Sequence, residues 1–279
     1  MSDDLKQLLN YFHEEAHNFS GYVGLAAQRS DMAGAILYNG DAVFPTASVI
    51  KLIVLAEYFA QVAAGNLHPD QPVIIRAEDQ VGGSGVLKDL QPGLRLTLYD
   101  IATLSITVSD NTAANLLIAQ VGGLARINAR LQALGMSHTT MGRPFIFDSE
   151  ADNTGSPADF LHLLLLLARR ELIDLSTSQA MLDIMRRQQI MDYIPRYLPH
   201  HPFAAEYGLS QEITIANKVG MLRGVINDAA IITTPTLTYA LVIFTRDGCD
   251  NRPDADNEGA QLVARLSKRI YDYFGRETA

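Results

Sequence analysis

The chain has 279 residues, 48% of them hydrophobic, and 22 Lys and Arg against 31 Asp and Glu give a formal charge of −9. That is ample material for a packed core in one large domain or two small ones. There is no basic run and no interleaving of aromatic with basic side chains, which excludes a phosphate-backbone footprint and with it a nucleic-acid partner.

The first element is an amphipathic helix over Asp3 to Asn18, with Leu5, Leu8, Leu9, Phe12 and Ala16 at helical spacing and Asp3 and Asp4 where the dipole favours acids. Its start, "MSDDLKQLLNYF", has neither the basic nor the apolar region of a secretory signal. The expected compartment is the cytoplasm if the chain is complete, and the periplasm or the exterior if a leader has been removed. The same helix contains "HEEAH", His13 to His17, a match to the zinc-hydrolase pattern H-E-x-x-H. Asp31, Glu57 and the His200-His201 pair are the candidates for a third ligand, and an exposed polar helix face is the expectation for the motif, with no metal and no cofactor.

"GYVGLAAQ" and "GAILYNGDAVF" follow as a pair of adjacent antiparallel strands. From Ala47 to about His200 the pattern is helical, broken by "GNLHPDQP", "VGGSG", "LQPG", "SDN", "VGG" and "YLPHHP". The most apolar run, Phe160 to Ala168, falls far short of the roughly 20 residues that cross a bilayer and reads as a buried helix. Strand signals return in "EITIANKVG", "NDAAIITT" and "LTYALVIFT", before a helix from about Asp256 to Phe274. The single cysteine, Cys249, excludes an internal disulfide and reads as a surface-loop thiol. Strands at both ends with helices between them imply a discontinuous α/β part, residues 1–46 and 208–279, and an all-helical part, 47–207, with a cleft where the two meet.

Three short patterns carry the candidate chemistry, and Ser109 and Asn111 of the second can point into that cleft. Ser48 lies in the first turn of a helix and Lys51 follows at i+3 on the same face, among Ile50, Leu52, Ile53 and Val54. Desolvation of such an ammonium lowers its pKa, so the amine can take a proton from the Ser48 hydroxyl. The helix start also supplies a free backbone N–H at Ser48 where an oxyanion would form. "SDN", Ser109 to Asn111, lies between helical segments, with Asp110 able to cap the second. "NKVG" ends a strand with Lys218, Val219 and Gly220, the glycine permitting close approach of a ligand.

S-x-x-K, S-D-N and K-x-G in this order resemble the signature of class A β-lactamases and penicillin-binding proteins. The resemblance runs along nearly the whole chain, through "YNGDAVFPTASVIKL", "GSGVLKDLQPGLRLTLYDIATLSITVSDNTAANLLI" and "NKVGMLRGVINDAAII". It implies a five-stranded antiparallel sheet flanked by the N- and C-terminal helices, with the helical part inserted. It also implies an active-site serine hydrolase that opens a β-lactam-type amide through an acyl-enzyme on Ser48. Lys51 is then the general base, Ser109 the proton relay to the leaving nitrogen, and Lys218 an electropositive neighbour that attracts a substrate carboxylate. Asn111 would bind the substrate side-chain amide, Val219 and Gly220 would line the substrate, and the backbone N–H groups of Ser48 and Met221 would form the oxyanion hole. The implied partner is a small molecule or peptide bearing a carboxylate. Alternative outcomes of the same fold are a penicillin-binding-type peptidase or esterase and a binding module without turnover.

Three positions depart from that family pattern. Aligned without gaps from Ser109, Arg143 takes the arginine of an R-x-E motif whose glutamate activates the deacylating water, and the glutamate falls on Phe145. Ser149 stands where an asparagine is usual; Asp148, Glu150 and Asp152 are nearby acids able to substitute or to pair with Arg143. Val219 replaces a hydroxyl residue that helps hold the substrate carboxylate, with Arg223 and Asn227 as possible compensating groups.

Overall fold

The computed structural model describes residues 3–146, 151–201, 204, 206–210 and 213–276. Helix α1 covers Asp3–Asn18, and strands β1 (Tyr22–Arg29) and β2 (Ile36–Tyr38) follow as an antiparallel pair. The chain then enters the helical layer through α2 (Lys51–Ala63), α3 (Leu98–Thr107), α4 (Asn111–Gln120), α5 (Gly123–Ala133), α6 (Pro157–Ala168) and α7 (Leu175–Met185). It returns to the sheet as β7 (Thr214–Leu222), β8 (Val225–Thr233) and β9 (Thr238–Arg246) and closes with α8 (Glu258–Arg276).

The five-stranded antiparallel sheet has the order β2-β1-β9-β8-β7, so the first long strand is hydrogen-bonded to the last along its length, from Tyr22 opposite Arg246 to Arg29 opposite Tyr239. Both faces of this sheet are covered, and its central strands accordingly read as unbroken apolar runs. Val23, Leu25, Tyr239, Leu241 and Ile243 pack against Leu8 and Phe12 of α1 and Val263, Leu266 and Ile270 of α8. The alternate residues, Ala26, Ala240, Val242 and Phe244, meet the helical layer, including Phe160 and Leu164 of α6. This α6 is the "FLHLLLLLA" segment, capped by the Ser156 hydroxyl, which accepts from Asp159 N at 3.2 Å.

The inserted part is not purely helical. Pro72–Ile74 (β4) pairs with Arg95–Thr97 (β5), and Thr154–Gly155 (β6) pairs with Phe44–Pro45 (β3). Each ladder is two or three residues long, too short to leave a period-two signature in the sequence.

Candidate active site

The nucleophile region starts with an irregular backbone. Ala47 has φ +48°, an uncommon conformation for a residue with a side chain, and Ala47–Ile50 form a 3-10 turn that runs directly into α2. Three residues per turn eclipse i and i+3, so Ser48 and Lys51 are stacked more directly than an α-helix would place them. Thr46, ahead of this turn, is tied to the loop that follows α5: its N–H and Oγ1 both donate to Asn153 O, at 2.8 and 3.0 Å. The edge strand β7 presses on the turn from the other side. A Cβ at Gly220 would lie 2.8 Å from Thr46 O and 3.0 Å from Ser48 N, so only glycine lets the strand come this close to the nucleophile's amide.

Lys51 is fully buried, and its Nζ donates to Ser109 O at 2.6 Å and to Asn111 Oδ1 at 2.9 Å, with Ser109 Oγ at 3.3 Å. Burial, and then the charge of Lys218, pull its pKa well below the usual lysine value against the opposing pull of Asp110. A neutral amine has two N–H donors, and the two shortest contacts use both. Its lone pair is then free to accept a proton. Ser48 is half-buried, and its hydroxyl has no hydrogen-bond partner among the described residues. Contacts of this kind are commonly long before a substrate is bound and tighten in the complex.

Ser109 joins the two lysines. It has φ +56° in the turn between α3 and α4, a second strained position at the site. Its Oγ accepts from Lys218 Nζ at 3.0 Å; Lys218 also donates to Val219 O at 2.6 Å. Burial draws Lys218 down to about 7, opposed by the carboxylate of Asp228 on the neighbouring strand. Asp110 caps α4 by accepting from Ala113 N at 2.9 Å, and its other oxygen accepts from Val86 N and Leu87 N.

Phe145 stands on the lysine. Its ring centroid lies 4.2 Å from Lys51 Nζ, and the side chain is 8% exposed. Arg143 donates to Ile146 O at 2.8 Å and pairs with Asp152 at 3.2 Å. Asp148, Glu150 and Ser149 lie outside the described residues.

These groups border a cleft of about 510 Å³ that Ser48, Asn111, Phe145 and Met221 line. Asn111 starts α4 and is 6% exposed; one N–H of its amide goes to Gly82 O at 3.1 Å, leaving the second for a ligand. Gly83 and Ser84 form a further wall that the sequence reading passed over, because "VGGSG" reads as a turn and nothing more. Their loop lies on the second motif: a Cβ at Gly85 would fall 2.3 Å from the Asp110 carboxyl, and Ser84 O accepts from Asn111 N at 3.0 Å.

Comparisons with known proteins identify the family. A model of the "Beta-lactamase enzyme family" matches residues 3–274. The chain belongs to that family. Beta-lactamase PSE-4 of Pseudomonas aeruginosa is 35% identical over 106 residues, 38% of this chain and 36% of the relative, so the match spans about a third of the length of the curated relatives. Among solved structures, the beta-lactamase of Sphaerobacter thermophilus DSM 20745 superposes with a TM-score of 0.84 at 30% identity, covering 98% of this chain and 97% of that one. PBP-A superposes at 0.83 with 27% identity over 99% of this chain and 97% of its own. A mutant of PBP-A, 28% identical, has been solved as its acyl-enzyme complex with penicillin G.

Two expectations attached to the β-lactamase pattern change with the geometry. The Val219 side chain is 3% exposed and belongs to the core on the sheet face covered by α1 and α8, so it does not line the cleft. Asn227 is also turned inward, donating to Pro45 O at 2.7 Å and accepting from Thr245 N at 2.9 Å. That leaves Arg223 as the polar group near this strand that reaches the cleft. In the "HEEAH" helix, His13 packs edge-on against Tyr38 and Glu15 pairs with Arg265 at 2.7 Å. Asp31 pairs with Arg29, and Glu57 with Arg126 and Arg130. Among the described residues no group of three or more His, Cys, Asp or Glu could hold a metal ion, and no helix is long and apolar enough to cross a membrane.

Proposed function

We propose that this protein is an active-site serine hydrolase that opens β-lactam-type amides through an acyl-enzyme on Ser48 and releases the product slowly. The observation that carries the reading is the convergence of two buried lysines, Lys218 and the Lys51 that follows Ser48 by one turn, on the Ser109 hydroxyl. Ser48 Oγ attacks the carbonyl carbon while its proton passes to the Lys51 amine. The developing oxyanion is held by the N–H groups of Ser48 and Met221, which Gly220 allows to approach each other. Ser109 Oγ then gives its proton to the departing nitrogen and recovers one from Lys51, so the ring nitrogen leaves as an amine and Ser48 carries an ester. The substrate carboxylate is drawn by Lys218.

Hydrolysis of that ester needs a base for water, and a phenyl ring occupies the position at 145. A positioned base is worth about 10² to 10⁴ in rate, so the acyl-enzyme persists. A penicillin-binding-type peptidase shares the acylation half, and Phe145 is the observation that favours it. Incubation with a chromogenic cephalosporin and a fluorescent penicillin, followed by intact mass, tests the reading. The expected result is one adduct on Ser48 with slow colour release. No adduct, or an adduct that survives Ser48→Ala, overturns it. Turnover of a linear peptide or depsipeptide that outpaces the cephalosporin would assign the peptidase.

A further inference from the structure

At the end of the sheet far from Ser48, three threonines stand in a row. Thr214 opens β7, Thr233 closes β8 opposite it, and Thr238 opens β9 opposite Thr233. Residues opposite one another across a ladder share a face. Two positions further in along each strand, Ala216, Ile231 and Ala240 belong to the core under the helical layer, so the three hydroxyls point toward the helices as well. Thr238 Oγ1 donates to Thr233 Oγ1 at 3.2 Å, which leaves the hydroxyl protons of Thr233 and Thr214 without an acceptor among the described residues.

Two arginines meet this row around a cavity of about 140 Å³, many times what one water needs. Arg170 follows α6 at φ +65°, a left-handed helix end at which glycine is usual. Its side chain makes no hydrogen bond or ion pair among the described residues, and its Nη1 is buried without a partner. Arg186 ends α7 and pairs with Asp183 at 2.9 Å. Burial, and then the charge of Arg186, pull the Arg170 pKa down against Asp183. Among the described residues no acid lines the cavity itself.

Neither guanidinium is needed to finish its helix. The last carbonyls of α6 accept from the N–H groups of Arg169, Arg170 and Glu171, and those of α7 from Arg186, Arg187 and Gln188. Leaving a buried guanidinium N–H unpaired is costly. Arginine can only donate, and a threonine hydroxyl can turn its proton the same way. The cavity therefore offers donors from the helical side and from the sheet side at once, with a surplus of positive charge. Donors on two sides suit an anion whose oxygens point in several directions, a tetrahedral one, better than a planar carboxylate.

We propose that Arg170, Arg186 and the row of Thr214, Thr233 and Thr238 form a binding site for a phosphate group, separate from the catalytic cleft. Thr214 and Gly220 both lie on β7, and at about 3.3 Å per residue the strand keeps them roughly 20 Å apart. The site does not depend on the chemistry at Ser48. Calorimetric titration of the full chain at constant ionic strength tests it, with inorganic phosphate and separately with methyl phosphate. Saturable binding is expected, and Arg170→Gln should weaken it about tenfold, as loss of one charge-assisted partner does. Arg169→Gln removes the same charge one residue earlier, where the side chain donates to Ser30 O, and should leave the affinity within about twofold. Arg170→Gln takes away an unpaired buried group, so its melting temperature in phosphate-free buffer should not fall, which separates a lost site from a lost fold. Thr233→Val, a second variant, should weaken binding about threefold. Methyl phosphate binding at least as tightly as the free ion assigns a phosphomonoester, and binding of the free ion alone assigns inorganic phosphate; either upholds the site. No saturable binding of either probe, or equal weakening by Arg169→Gln and Arg170→Gln, overturns the proposal. So does an affinity unchanged in Arg170→Gln, as phosphate held in the catalytic cleft would show.

Discussion

Replacing Phe145 by glutamate separates the two halves of the reaction. The main chain at 145 is clamped by α4, Phe145 N donating to Asn115 Oδ1 at 2.7 Å and Phe145 O accepting from Asn115 Nδ2 at 3.2 Å, so the exchange alters a side chain on a fixed backbone. A carboxylate there stands beside the acylated serine and can take a proton from water, which should shorten the life of the adduct by about 10²- to 10⁴-fold. It also comes about as near to Lys51 as the ring does, 4.2 Å. Two opposite charges at about 4 Å attract by about 4 kcal/mol at an effective dielectric of 20. That is enough to raise the Lys51 pKa by up to about three units. More of the lysine is then ammonium at neutral pH, so acylation slows and its acid limb moves to higher pH. Losing the buried ring costs about 2 to 4 kcal/mol of stability, which a melting curve will register. Quenched-flow intact mass follows both steps in one experiment. An adduct that forms in Phe145→Glu and decays no faster than in the unsubstituted protein would refute the argument.

Two further outcomes follow from buried charges. Lys218, drawn down to about 7, is an ammonium below that pH and an amine above it, so the preference for a carboxylate-bearing penicillin over its methyl ester should fall as pH rises through neutrality. Acylation rates whose ratio stays constant across that range would remove Lys218 as the anchor. Glu57 is 1% exposed on α2 and takes 2.7 Å bonds from Arg126 and Arg130 of α5; burial pushes its pKa up, but these donors and Gln61 outweigh that and hold it below the usual value. Glu57→Ala should cost about 3 kcal/mol, since partly exposed arginines lose less than fully buried ones. A depressed carboxyl pKa stabilises above its unfolded value and is lost in acid, so the stability gap should close below about pH 4, as urea titrations at two pH values will show.

The sequence made the helices and long strands legible because their apolar spacing is sustained: α1 spans the predicted Asp3 to Asn18, and β7 to β9 fall on the three late apolar runs. The motif residues could be chosen by type and order, since Ser48 and Lys51 lie within one turn. What could not be read is orientation across long separations. Phe145 announced a missing glutamate, but that its ring would cover Lys51 depends on how the loop after α5 folds back. Asn227 and Arg223 were equal candidates as polar residues near the third motif. Strand register decides between them, sending Asn227 into Pro45 and Thr245 and leaving Arg223 at the turn. Gly83 and Ser84 gave no chemical signal, because what they contribute is backbone.

The pairing of β1 with β9 sets the order in which this site can come into being. A growing chain carries Ser48 and Lys51 early, but β1 has only the three-residue β2 beside it until the final third has been made. Contacts this distant in sequence close late in folding. The strand that walls the serine and the lysine that holds Ser109 arrive together on β7, at the sheet's far edge. A product broken off before β7 therefore holds the nucleophile and its base without the partners that pull Lys51 toward neutrality or brace the turn before Ser48. Reactivity is coupled to completeness: the closing of the sheet is also the arming of the serine.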